Sequence, residues 1–474
     1  MKYWLTLFVS LWACTLAAGL SIGSWENSQY TRSVDLAKSY VKETCIVQAK
    51  NIGDEPQNVY YFTLNDGLKE ISQVSAFVAT LLDQPVVVDS EIVDEATNLY
   101  KLTFPIPVAP GSSVQFKARY IYLSAIQPLP AKIEMAETQN LLLKLNKFVY
   151  SPYVTLEYSM IFTGITKGQE MELLTFTTED IKVTENTPTI KPRVENKALV
   201  YGPVLEKLDA YTVEPMGLLY EHNRPLAKVN SLERSLWIPA SNAEKVSFEE
   251  YYELTNDAAQ LSSGFSRIDW MRGHYDSTRN HWAISQLDIK LPEDIPEGIY
   301  YTDKVGQVST SKIYSDHLIL TPRFPIFGGW NYNFTIGWYS PVAQHVHKIA
   351  NTDDTYIVKF PLLNSIDDIT YDKVDVNFYL PENAEFIGVS SAIDYDSITI
   401  GEELSYLDVS SGHVKISLHF KDLIDDLSKV DLYVQYKYTQ SSYWWKVFKI
   451  SGFVFTGLMS FYLLSLIDVS IEKK

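Results

Sequence analysis

Val430-Asp431-Leu432-Tyr433-Val434-Gln435-Tyr436-Lys437-Tyr438 alternates apolar and polar side chains, and soon after it the chain becomes an uncharged apolar run over residues 450–467. The first pattern has the period of a β-strand with one buried face. The second is about as long as a helix must be to cross the hydrocarbon core of a bilayer. Tyr443, Trp444 and Trp445 stand just before the apolar run, and aromatic residues favour the headgroup interface. One short stretch thus reads as the last strand of a β domain followed by a membrane helix.

The same alternation recurs upstream. Val414, Ile416, Leu418 and Phe420 alternate with polar residues, as do Val374, Val376, Phe378 and Leu380. In the first half, Val114, Phe116, Ala118, Tyr120 and Tyr122 do so, and residues 59–64 are a further strand candidate. Proline and glycine punctuate these runs at Pro105, Pro107, Pro110-Gly111, Pro128, Pro130, Pro292, Pro296 and Pro381. Short strands separated by turn signals predict a mainly β protein. The expected architecture is two tandem antiparallel β-sandwich-like lumenal domains followed by one C-terminal transmembrane helix. Helical patterns are few; one is expected after Pro341, over residues 342–349. The strands 114–122 and 430–438 both close on Tyr-x-Tyr, a hint of duplication. His222-Asn223-Arg224-Pro225 breaks the pattern between the halves. The boundaries read as domain 1 over 23–228, domain 2 over 229–442, the transmembrane helix over 447–469 and a cytosolic tail over 470–474.

The N-terminus sets the expected compartment. Lys2 precedes an apolar stretch over residues 3–16, and Ala17, Ala18 and Gly19 follow. That is the layout of a cleaved signal peptide, taken as residues 1–22. Such a peptide sends the bulk of the chain to the lumen and leaves residues 470–474 in the cytosol. The positive-inside bias is weak here, because Lys446 and Lys449 flank the lumenal side while Asp468 and Glu472 dilute Lys473 and Lys474. Cys14 lies in the signal peptide, so the mature chain keeps only Cys45 and forms no intrachain disulfide. Cys45 is expected to be a buried apolar residue.

The formal net charge is −18, and the lumenal part is more acidic still. Binding to nucleic acid or other polyanions is therefore excluded, since it needs a basic surface. At 46% hydrophobic and 13% aromatic residues the chain has ample material for packed cores.

Catalytic constellations are absent from the sequence. There is no G-x-S-x-G, no H-E-x-x-H, no Gly-rich phosphate loop before a helix and no paired C-x-x-C. His345 and His347 lack an assignable third zinc ligand and read as a polar face. Asp394-Tyr395-Asp396 resembles a metal-binding D-x-D but lacks the α/β setting of such sites. The paired acids Asp353-Asp354, Asp367-Asp368 and Asp425-Asp426 read as solvated loops. No catalytic, cofactor or metal residues are assigned. One sequon survives, Asn333-Phe334-Thr335, and makes Asn333 the candidate N-glycosylation site. In the apolar run, Gly452, Thr456 and Ser460 are four residues apart and share one helix face. Small residues at that spacing let a second membrane helix approach closely.

Pro322-Arg323-Phe324-Pro325-Ile326-Phe327-Gly328-Gly329-Trp330 is distinctive. Its two prolines keep the chain extended, its glycines permit positive φ, and its aromatic residues are large anchors. That reads as a rigid corner plugging a core, or as a surface that meets another protein chain. The stretch resembles the P-R-F-P-hydrophobic-F-G-G-W segment of the ribophorin I family. Gly264-Phe265-Ser266-Arg267 with Asp269, and Tyr301 and Asp303 with Gly306, Val308, Ser309, Thr310 and Ser311, resemble further family segments. Tyr150-Ser151-Pro152-Tyr153, Tyr201-Gly202-Pro203 and Leu380-Pro381-Glu382-Asn383-Ala384 fall in the family order. The resemblance is densest over residues 264–330.

This resemblance implies a noncatalytic subunit of the endoplasmic-reticulum oligosaccharyltransferase, which transfers a dolichol-linked oligosaccharide to Asn in N-x-S/T sequons. With the expected signal peptide and the C-terminal apolar run, the chain reads as a single-pass type I membrane protein. Its implied partners are the other subunits of that complex, including the catalytic subunit and small membrane subunits, and the nascent acceptor polypeptide. The resemblance supplies no catalytic residues and no cofactor. Longer family members continue into the cytosol where this chain stops, so no ribosome-facing role is carried over. The alternative is a lumenal cargo or quality-control receptor. Against it, Lys473-Lys474 occupies the last two positions, whereas a dilysine retrieval signal needs lysines three and four from the end.

Overall fold

In the computed structural model, residues 24–466 are described, apart from 65–67, 69–72, 84–85, 95–97, 166, 173–182, 241–243, 276–280, 291–296, 315–316, 351, 353 and 405–411. The expected signal peptide at 1–22, the tail at 470–474 and the end of the 447–469 span lie outside the described residues.

The chain is mainly β, in two compact units. Unit 1 comprises residues 1–126 and 142–220, and unit 2 comprises 127–141 and 221–474. Each contains a large sheet. In unit 1 its order is Arg193–Glu195, Ala198–Val204, Tyr158–Thr163, Trp25–Asp35, Val41–Asn51, Ser113–Tyr122 and Val74–Leu81. In unit 2 it is Ser397–Glu403, His413–Ile424, Ile369–Tyr379, Ala227–Trp237, Lys245–Asn256, Asn331–Pro341 and Glu297–Asp303, with the short Gly306–Gln307 at the edge.

The two orders match strand for strand. Each sheet has a parallel pair at the same place, Trp25–Asp35 with Tyr158–Thr163 and Ala227–Trp237 with Ile369–Tyr379. The sheets are therefore mixed, not purely antiparallel as the alternation predicts. Sequence period reports burial and carries no information on strand direction. Each first strand also bulges at the same point, between Asn27 and Gln29 in unit 1 and between Val229 and Ser231 in unit 2. A bulge adds one residue to one strand and re-aims the side chains beyond it.

The smaller sheets repeat as well. Gly168–Met171, Pro215–Glu221 and Asn140–Asn146 run in the order that Glu385–Ser391, Asp431–Lys437 and Thr355–Pro361 take later. The duplication hinted at by 114–122 and 430–438 thus exists with different partners. Ser113–Tyr122 corresponds to Asn331–Pro341, and Asp431–Lys437 to Pro215–Glu221. Two amphipathic strands look alike wherever they sit, which is why Tyr-x-Tyr pairs the wrong ones.

Burial follows the alternation. In unit 2 the core is built from Leu232, Phe248, Phe334, Val374, Val376, Phe378 and Leu418 on the large sheet and Val358, Phe360, Leu432 and Val434 on the small one. Phe360 meets Phe248 and Phe378 with ring centroids 5.5 and 5.8 Å apart. In unit 1 Val34, Cys45, Val47, Phe116, Ala118 and Met160 are fully buried. Burial pushes the Cys45 thiol up to about 12, leaving it neutral.

The expected helix over 342–349 stops early. Only Val342–His345 is helical, and Val346–Lys348 pairs with Thr355–Pro361. That pairing satisfies the backbone as a one-turn helix cannot. The apolar helix spans Gln440–Ser465, 26 residues, and starts seven residues before the expected 447. At 1.5 Å per residue it is about 39 Å long, so its first turns extend beyond a core of about 30 Å.

Candidate functional site

The densest of the family segments, within residues 264–330, come together at one corner of unit 2. The hub is Asn256, at the end of its strand and fully buried. Its amide nitrogen donates to the carbonyls of Trp282 and Ile326, both at 2.9 Å. Its amide oxygen accepts from the N–H groups of Leu226 and Ala258. Its backbone carbonyl accepts from Gly329 N at 2.7 Å. Such a side chain satisfies loop backbone that no sheet can reach.

Around the hub, Phe327 is fully buried among Phe265, Trp270, His281, Trp282 and Trp330, with ring centroids 5.0–5.7 Å away. These are edge-on and tilted ring contacts, a geometry favoured by ring quadrupoles. Gly328 lets the chain pass: a Cβ there would lie 2.1 Å from the carbonyl oxygens of both Ala258 and Ala259. Gly329 has φ +77°, which an L side chain adopts only at a cost. The stretch is the core-plugging corner, with Phe324 left 40% exposed at its start.

Arg323 and Asp303 form the polar side of the corner. Arg323 Nε donates to Asp303 Oδ2 at 2.6 Å, and its Nη2 donates to the carbonyls of Gly306 and Gln307. Asp303 Oδ1 accepts from Val305 N and Gly306 N. Partial burial works against the Asp303 charge, but Arg323 and the two N–H groups outweigh it and hold the carboxyl below its usual range. Tyr301 and Tyr332 share a hydroxyl contact of 2.7 Å. Burial first, then that contact, pushes the Tyr301 phenol up. His281 is lowered by burial and stays neutral, Nε2 donating to Met135 O and Nδ1 accepting from Ala283 N. Asp303, Arg323 and His281 are each held by one another or by backbone groups, an arrangement suited to holding a shape, while the indole N–H of buried Trp282 has no partner among the described residues.

The sites predicted from sequence fall elsewhere. Asn333 is half-buried on Asn331–Pro341, in register with Glu253, and its amide donates to Tyr251 Oη at 2.9 Å. Thr335 lies two residues on and faces the same side. Gly452, Thr456 and Ser460 are exposed along one face of the apolar helix. Thr456 Oγ1 donates to Gly452 O and Ser460 Oγ to Thr456 O, both at 2.7 Å.

His345 ends the short helix, within 3.2 Å of Lys359 O and Ser340 Oγ, while His347 is exposed on the next strand. Asp394 and Asp396 are exposed, and Asp396 pairs with Lys421 at 2.9 Å. Asp425 corrects an expectation: it is buried, not solvated, because Oδ2 accepts from Asp368 N at 2.9 Å.

Sequence reading missed two buried ion pairs. Arg32 holds Glu43 with two bonds of 2.8 Å, and Arg234 holds Glu250 likewise. Their signal was present in the parity. Arg32 falls in step with buried Tyr30 and Val34, and Glu250 with buried Phe248 and Tyr252. A charge on the buried parity of a strand needs a partner.

The Ribophorin I family model matches residues 25–465, which takes in both units and the apolar helix. Among curated relatives, dolichyl-diphosphooligosaccharide--protein glycosyltransferase subunit 1 of Caenorhabditis elegans is 26% identical over 87% of this chain and 68% of its own length. The subunit 1 of Schizosaccharomyces pombe is 26% identical over 94% of this chain and 95% of its own length. Among solved structures, the M1 zinc metallopeptidase from Deinococcus radiodurans aligns with a TM-score of 0.25 at 11% identity, over 44% of this chain and 42% of that one. A likeness that slight carries no argument.

Proposed function

This chain belongs to the ribophorin I family, and from that premise we propose that it works as a noncatalytic subunit of the oligosaccharyltransferase. The observation that carries this is the extent of the likeness. A relative named as subunit 1 is matched over 94% of this chain and 95% of its own length. The chemistry of the corner supports the same reading, because Asp303, Arg323 and His281 already hold one another or the backbone. Transfer of the oligosaccharide belongs to another subunit, and this chain contributes shape and docking. The β units face the lumen of the endoplasmic reticulum, with the apolar helix as the single span.

Purification of the tagged chain in mild detergent tests the proposal. The catalytic subunit and small membrane subunits are expected to come with it. Secretory cargo without transferase subunits would instead favour a cargo or quality-control receptor. Gly452, Thr456 and Ser460 form the seam at which a partner helix packs. Gly452→Leu with Thr456→Leu is expected to insert normally and to lose membrane partners. Undiminished recovery of those partners would reduce the helix to an anchor.

Asn333 carries an N-glycan. Its strand lies between Lys245–Asn256 and Glu297–Asp303, so the glycan is added before the sheet closes. Asn333→Gln is expected to migrate faster on a gel by one glycan, and unchanged migration would refute the assignment.

A further inference from the structure

The strand Asp431–Lys437 passes into the helix Gln440–Ser465 through only Tyr438 and Thr439. Thr439 caps the helix, its hydroxyl accepting from Ser442 N at 3.2 Å. Tyr438 is buried, and Tyr443 packs against the core of unit 2. A connection this short and this well packed leaves little room for a pivot.

On the next turns Lys446 and Lys449 reach back to one carboxylate. Lys446 Nζ lies 3.2 Å from Glu382 Oε2, and Lys449 Nζ lies 3.6 Å from Glu382 Oε1. The Glu382 side chain is 3% exposed, against 26% and 24% for the lysines. Glu382 sits in the turn that comes after Ile369–Tyr379, and the turn is anchored. Leu380 N donates to Val414 O, Leu380 O accepts from His413 Nδ1 at 2.7 Å, and Ala384 N donates to Pro381 O. The carboxylate is thus a fixed point of unit 2, and the lysines are the helix's contacts with it.

We infer that Glu382 is a positioning residue that locks the apolar helix to unit 2 and so sets the direction in which the helix presents its small-residue seam. The phase of the helix supports this. Thr456 and Ser460 are seven and eleven residues after Lys449, which at 100° per residue puts all three within about 20° of one direction. The seam therefore faces the side on which Glu382 holds the lysines, and a partner helix enters on that side. The lock also has a reason in charge. The Glu382 carboxylate is almost fully withdrawn from water and needs a cation beside it, which the two lysines supply. Trp444 and Trp445, 50% and 61% exposed on the same turns, suit the headgroup layer into which the lock sets them.

The inference rests on reading 440–465 as a membrane span, and on no particular partner. Spin labels at Ile400→Cys and Leu464→Cys, both exposed positions, report the distance between unit 2 and the helix. The full chain is measured in its purified complex in lipid nanodiscs; Cys45 is buried and does not label. The unaltered lock is expected to give one narrow distance distribution. Glu382→Gln, and separately Lys446→Gln with Lys449→Gln, should broaden it about twofold. Exchanging the charges, Glu382→Lys with Lys446→Glu and Lys449→Glu, should narrow it again. A distribution as narrow in the lysine variant as in the parent overturns the lock, even if Glu382→Gln fails to fold. Release of the chain from membranes at alkaline pH would sink the span reading separately.

Discussion

Arg32 and Arg234 occupy the same place in two copies of one sheet, five residues past the same bulge, yet their carboxylates come from different positions. Arg32 is in register with Cys45 and takes Glu43, two residues away on the same face. Arg234 is in register with Glu250 itself. The supporting groups differ accordingly. Tyr120 and Tyr122 donate to Glu43 at 2.5 and 2.6 Å, whereas Tyr252 and Asn364 donate to Glu250. In both copies the guanidinium also donates to the last residue of the small-sheet strand, Asn146 O or Pro361 O. A buried cation therefore ties the large sheet to the small one in each unit. What the fold holds constant is the arginine and its reach; the residue that neutralises it is free to move.

The strand ends repeat the lesson. Asn51 and Asn256 make the same set of bonds: each side-chain oxygen accepts from the N–H two residues on, and each amide nitrogen reaches two loop carbonyls. Gly111 N donates to Asn51 O as Gly329 N donates to Asn256 O. The motif-rich corner is thus unit 2's version of a turn that unit 1 makes with Pro110-Gly111-Ser112. The difference is the aromatic filling around Phe327 and the passage of Gly328 over Ala258 and Ala259.

Removing the carboxylates is the severest way to break the comparison. Glu43→Gln and Glu250→Gln each leave an arginine buried without its counterion, and each is expected to cost about 3–5 kcal/mol. Calorimetric unfolding of the full chain measures this. A negligible loss in one copy alone would show that the two pairs do not play the same part.

Next come the glycines. Gly328→Ala drives a methyl into two backbone carbonyls and is expected to cost about 3 kcal/mol. Gly111→Ala meets nothing within 4 Å, so only its φ of +74° weighs against it, about 1 kcal/mol. Gly329→Ala, at φ +77°, belongs with Gly111→Ala. Equal losses at Gly328 and Gly111 would mean that the corner is not the tight passage its geometry indicates.

The gentlest probe is acid. Burial works against the Glu43 charge, but Arg32, Tyr120 and Tyr122 outweigh it and hold the carboxyl below its ordinary value of 4.5. A depressed carboxyl contributes stability that is complete above its unfolded value and is lost as pH falls through its folded value. The advantage of the native chain over Glu43→Gln should therefore hold down to about pH 4.5 and shrink below it. A gap that widens in acid would give the shift the opposite sign.

Much of this fold is legible in the sequence because half-buried strands announce themselves. Val414 to Phe420 and Val374 to Phe378 lie in strands with the predicted face inward. Strand direction is not legible, since parallel and antiparallel neighbours bury the same parity. The duplication is nearly invisible, because equivalent places hold Cys45 and Glu250, or Ser112 and Trp330. The corner stands out through its Pro, Gly and aromatic residues, whose chemistry is local. Asn256, which holds the corner together, does not, because a buried asparagine looks like any loop asparagine. Asp425 misleads for the same reason: its partner is a backbone N–H 57 residues away.

The most direct test of the functional reading is sequon occupancy in secreted glycoproteins, measured by mass spectrometry in cells depleted of this chain and again after its return. The reading predicts that occupancy falls across many unrelated acceptors and recovers with the full chain. Unchanged occupancy in depleted cells would contradict it.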